Sequence, residues 1–140
     1  MKRILMTVLL MILIAGVVAS SGCTSNSGNN STSSPVSVTG VNVKSSGYGM
    51  YDVTGTITPS KNYDYMEIAI KWYDAQGNVI ERTPLAWKIN EAKAGEPIKF
   101  DANSYIPQGS TPAKFDMLVF DSAWSGSDES EAIYKTTMTI

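Results

Sequence analysis

From Pro35 onward the apolar residues recur with a period of two, and that period confines the chain to strands. Met66, Ile68, Ile70 and Trp72 alternate with Glu67, Ala69, Lys71 and Tyr73, the pattern of a strand with one buried face. Tyr51, Val53 and Ile57 alternate with Asp52, Thr54 and Thr56, with Gly55 between them. Val36, Val38, Val41 and Val43 form a β-branched run ahead of that strand. Leu85, Trp87 and Ile89 alternate with Ala86 and Lys88, and Pro84 marks this strand as bent or lying at an edge. Ile98 and Phe100 flank Lys99, Phe115 to Phe120 is almost wholly apolar like a central strand, and Ile133 to Ile140 closes with Thr-rich β-formers. No helical period lasts beyond one or two turns.

The turns agree. Asp74-Ala75-Gln76-Gly77 has Asp first and Gly fourth, which predicts a hairpin whose Gly takes the left-handed conformation. Lys93-Ala94-Gly95-Glu96-Pro97 and Pro107-Gln108-Gly109 are further breaks. About seven short strands with such punctuation predict an antiparallel, immunoglobulin-like β-sandwich over 36–140. Its expected core is Val53, Ile57, Ile68, Ile70, Trp72, Trp87, Phe100, Met117 and Val119.

Charge and composition narrow the function classes. The 140 residues hold 11 basic and 13 acidic side chains and no histidine. Histidine-based triads, proton shuttles and histidine-ligated metals are therefore excluded. No basic cluster occurs beyond Lys2-Arg3, which argues against a nucleic-acid partner. No Ser lies in a nucleophile motif such as G-x-S-x-G, and the carboxylates are spread singly through turns and outward strand positions. The expectation is a non-enzymatic domain without a cofactor.

The first residues read as an address. Met1-Lys2-Arg3 is a short positive region, and Ile4 to Ala19 is an apolar run broken by Thr7 and Gly16. At ~1.5 Å per residue such a run is shorter as a helix than a hydrocarbon core about 30 Å thick. Ser20-Ser21-Gly22 then leads into Cys23, the sole cysteine. Small residues before a single Cys resemble the lipobox of prokaryotic lipoproteins. That resemblance implies a signal peptide over 1–22, cleavage before Cys23 and lipidation of its thiol. Loss of Lys2 and Arg3 from the 11 basic residues would leave 9 against 13 acidic ones. Residues 23–35 then form the lipidated Cys and a Ser/Asn-rich tether, in which Thr24 to Ser34 carries neither charge nor apolar side chain. Asn29 and Asn30 begin overlapping glycosylation sequons within it. The expected location is the outer face of the cytoplasmic membrane or the cell envelope.

A second resemblance lies in the sandwich. Ile70-Lys71-Trp72-Tyr73-Asp74 followed by Ala75-Gln76-Gly77-Asn78-Val79-Ile80 resembles the signature of the FxLYD-domain family. Val53-Thr54-Gly55-Thr56-Ile57 is similar to that family's first strand, and Ala94-Gly95-Glu96 with Phe100 to its later turn and the Phe that follows it. The likeness spans roughly 36–121 and implies a small immunoglobulin-like sandwich of exported prokaryotic lipoproteins, with no shared activity. On the residues themselves, Ile70 and Trp72 point into the core and Tyr73 points the other way, its hydroxyl free to bond at the rim. Asp74 is expected to accept backbone N–H groups in the turn.

Two features could carry recognition. Tyr48, Tyr63, Tyr105 and Trp124 lie in or beside loops and are the candidate ligand-contact aromatics, which a glycan-binding or adhesion domain would use as stacking platforms. The acidic segment 121–131 offers oxygen ligands suited to Ca²⁺, yet it lacks the spacing of a calcium loop and reads as a solvated connection between the last two strands. The leading expectation is an interaction or envelope-structural module with an envelope or surface protein as partner; glycan binding is the alternative.

Overall fold

The computed structural model describes residues 34–125 and 128–140. The expected signal peptide, Cys23, Asn29, Asn30 and most of the tether lie outside them.

Among the described residues seven strands form: β1 (Val36–Gly47), β2 (Met50–Pro59), β3 (Tyr63–Tyr73), β4 (Val79–Ala92), β5 (Ile98–Tyr105), β6 (Lys114–Phe120) and β7 (Tyr134–Thr139). They make two antiparallel sheets, ordered β1-β2-β5 and β4-β3-β6-β7. The chain crosses between sheets after β2, β4 and β5, so strands distant in sequence become neighbours. This is the β-sandwich the alternation called for, with the fourth strand joined to the sheet of the third.

Turn chemistry fixes the β3–β4 hairpin. Asp74 accepts from the backbone N–H of Gln76 at 3.0 Å and of Asn78 at 2.8 Å, while Gly77 takes φ 87°. The extra residue is absorbed as a register shift between Trp72 and Tyr73. At the β1–β2 turn, Gly49 takes φ 81° and its carbonyl accepts from the Ile106 N–H at 2.7 Å. That contact ties the turn to the chain leaving β5.

The core follows the inward parity of each strand. Val53, Ile57, Ile68, Ile70, Trp72, Phe100, Met117 and Val119 are all buried as expected. Trp72 sits at its centre, between Tyr51 at 5.4 Å and Phe115 at 5.0 Å between ring centroids. Trp87 departs from the expectation. It is half-buried: β4 is the edge of its sheet, and Trp87 packs against the rim of the core with its ring 6.1 Å from that of Phe100. Pro84 lies where β4 slips register against β3, between Thr83 and Trp87, as a proline on an edge strand should.

The half-buried face expected of β3 is also different. Glu67 and Ala69 are buried along with Met66, Ile68 and Ile70. Ala69, Leu118 and Phe120 form a second apolar cluster on the outer face of the four-stranded sheet, with Ala132 packed against it. The β6–β7 connection supplies that cover.

Candidate functional site

A connected set of polar residues lies on this same outer face. Lys71 and Tyr73 on β3, Asp116 on β6, and Lys135 and Thr137 on β7 all turn outward by strand parity. Glu129, in a single 3-10 turn (Glu129–Glu131) between β6 and β7, reaches down to them. Its carboxylate lies 2.7 Å from Lys71 Nζ, 3.0 Å from Lys135 Nζ and 3.6 Å from the Arg82 guanidinium. Bonds from Lys71, then Lys135, hold the Glu129 carboxyl below its usual range, and the same contacts raise both lysines. Asp128 starts the 3-10 turn by accepting from the Ser130 N–H at 2.9 Å.

Asp116 is the buried member, 5% exposed. It accepts from Thr137 at 2.6 Å and Tyr73 at 2.7 Å, and Lys135 Nζ stands 3.2 Å away. Burial opposes its ionisation, but these donors outweigh burial and its carboxyl is lowered. Tyr73 is raised by burial and by its bond to Asp116. Nearby, buried Glu67 accepts from the Tyr65 hydroxyl at 2.7 Å and from the Trp124 N–H at 3.3 Å. Burial, with the Glu67 bond, pushes the Tyr65 hydroxyl up to about 12.

These contacts strap the connection to the sheet. The described residues of segment 121–131 are thus not simply a solvated loop: Ser125 is buried, Glu129 is spent on three cations, and the Trp124 backbone is held by Glu67. Among the described residues no group of His, Cys, Asp or Glu is arranged to hold a metal ion. No helix among them is long and apolar enough to cross a membrane.

The candidate aromatics do not converge. Tyr48, 91% exposed in the β1–β2 turn, and Tyr105, 51% exposed at the end of β5, share one end of the sandwich with Met50, which pairs with Tyr105. Trp124 is 82% exposed, but its backbone follows β6 at the opposite end. Tyr63 cannot serve as a contact residue: it is only 6% exposed, packed into the core with Lys61 4.9 Å over its ring. Sequence reasoning passed over the strap. Its acidic residues were visible, but not the cations they would meet.

No protein-family model matches the chain, and no curated protein is similar to it in sequence. Some solved structures overlap it in part. A DUF1425 family member from Shewanella sp. pv-4 is 19% identical, with a TM-score of 0.44 over 62% of this chain and 78% of that one. A GH3 beta-glucosidase from Bifidobacterium adolescentis is 16% identical with a TM-score of 0.41, over 75% of this chain and 17% of the enzyme. Beta-glucosidase 3B from Thermotoga neapolitana is 15% identical, with a TM-score of 0.36 over 74% of this chain and 15% of the enzyme. Overlaps this loose carry no argument about function. The chain is a small β-sandwich, and its chemistry must be read from its own residues.

Proposed function

We propose that this protein is a membrane-anchored, extracytoplasmic lipoprotein whose FxLYD-like sandwich is a non-enzymatic interaction or envelope-structural module. The observation that carries the second half is where its charge goes. Lys71, Lys135 and Arg82 are committed to Glu129 of the β6–β7 connection, and Asp116 to tying β3, β6 and β7 together, not to lining a cleft. The anchor rests on the order Lys2-Arg3, apolar Ile4–Ala19, Ser21-Gly22-Cys23 and a polar tether. Acyl chains suit such an anchor, since each buried CH₂ contributes about 0.8 kcal/mol.

Expression of the full chain and of Cys23→Ser in a host that processes lipoproteins tests the anchor. The wild type should partition into detergent as a mature form that begins at residue 23 and carries acyl mass. The variant should stay unprocessed or escape to the medium. Identical behaviour of the two would remove Cys23 as a lipidation site.

The glycan alternative keeps one supporting observation, the shared end occupied by Tyr48 and Tyr105. A glycan array tests it. Saturable binding lost in Tyr48→Ala would favour that reading over a protein partner.

A further inference from the structure

We propose that β7 is the docking edge for a second copy of this chain, which pairs with it antiparallel about Thr137 and joins two four-stranded sheets into one. Each sheet has two edges, and the four edge strands are not alike. Strand β1 is broken by register shifts between Thr39 and Asn42 and between Ser45 and Gly47. Strand β4 carries Pro84 inside a further shift. Strand β5 lies beside β4 across the sandwich and sets Lys99 and Asp101 outward. Bulges, prolines and outward charges are the devices that keep strand edges from pairing.

Strand β7 has none of these except Lys135. It pairs with β6 from Lys114↔Thr139 to Val119↔Tyr134 without a shift, and among the described residues its other edge pairs with nothing. The Ile140 N–H donates to the Ala113 carbonyl at 3.0 Å. By antiparallel alternation, Met138, Thr136 and Tyr134 then bond to β6, and the backbone groups of Lys135, Thr137 and Thr139 turn outward. All three of these residues are exposed.

Charge and packing suit a copy of the same strand as the occupant. A two-fold axis at Thr137 places Lys135 opposite Thr139 of the second copy, so no like charges meet. An axis at Lys135 would oppose two cations and shorten the overlap. Centred on Thr137, the outward groups can form about six backbone hydrogen bonds. On the inner face, Tyr134 comes opposite Ile140 of the second copy, and Ile140 is 56% exposed. Beside it runs a groove between β1 and β7 lined by Val41, Val43, Phe115 and Met138. The added strand would overhang this groove and give its apolar walls a cover.

The test uses the full chain in detergent solution. Sedimentation should show a concentration-dependent dimer, and Thr139→Pro, which removes an outward N–H, should weaken it at least about ten-fold while the strand-rich circular dichroism persists. In a Cys23→Ser background, Thr137→Cys should form a disulfide dimer under mild oxidation, because facing residues of a hydrogen-bonded pair lie about 5.5 Å apart between Cα atoms. Lys135→Cys should not, since its own copy is displaced along the strand. If Thr139→Pro fails to fold, the two cysteine variants decide. A wild type that stays monomeric at about 100 µM, or equal cross-linking at both positions, would overturn the proposal.

Discussion

The Tyr73 hydroxyl donates to the Asp116 carboxylate at 2.7 Å although the two are not opposite each other: register sets Tyr73 against Lys114 and Asp116 against Lys71. The tyrosine reaches diagonally across the outer face of the sheet. It meets an acceptor that Thr137 also uses from the far side, so one carboxylate joins β3, β6 and β7.

Removal of that carboxylate should therefore cost more than a single surface bond. Asp116→Ala leaves the Tyr73 and Thr137 hydroxyls without this acceptor and should lose about 2 kcal/mol. Asp116→Asn keeps the shape and should lose less. Urea unfolding of the three chains measures the order.

Trp72 offers a contrast between volume and polarity. Its Nε1 is buried with no hydrogen-bond partner among the described groups, so the indole contributes packing but no bond. Trp72→Ala should cost about 3–5 kcal/mol as a large buried ring is lost. Trp72→Phe should cost clearly less, since it deletes an unsatisfied donor along with part of the ring. Equal losses in denaturant titrations would mean that the Nε1 is bonded in solution.

Stability should fall at both ends of the pH scale for identifiable reasons. Glu129 and Asp116 have lowered carboxyls, so on acidification the unfolded chain binds protons first and stability is lost below about pH 4. Glu129→Gln should flatten that acid limb. Tyr65, raised to about 12, keeps its proton after the unfolded chain has released it. Stability should then decline from about pH 10 upward, and Tyr65→Phe should make that decline shallower. Thermal melts across both ranges test the pair.

The left-handed glycines should differ in tolerance. At Gly77 a Cβ would meet nothing within 4 Å, so Gly77→Ala should cost only the backbone strain, about 1–2 kcal/mol. At Gly49 a Cβ would collide with the Ile106 carbonyl oxygen, the neighbour of the bond that ties the turn down. Gly49→Ala should be the more damaging in a thermal melt.

Strand parity was enough to place most of the core, because each inward position is set by local alternation. It failed at Trp87, whose alternation is regular but whose strand lies at an edge with no neighbour beyond it. It failed again at Glu67 and Ala69, which local sequence marks as solvent-facing. Their burial depends on a connection that begins more than fifty residues later and docks through Lys71 and Glu129, 58 positions apart. Periodicity reports a strand's own two faces but not what will later be laid over one of them. Among the candidate aromatics Tyr63 proved buried and Trp124 lies at the end opposite Tyr48 and Tyr105, for a related reason: nearness to loops says nothing about which end of the sandwich a loop occupies.

The double cover of β3 and β6 bears on how the molecule comes apart. A chain with one cysteine cannot cross-link itself, so resistance to proteases must come from slow opening. With apolar clusters on both sides, these two strands can be reached by solvent only after the strap has lifted and the opposing sheet has separated. Their amides should be the last to exchange, and nicking should begin at the strap and the outer hairpins long before the central pair is cut.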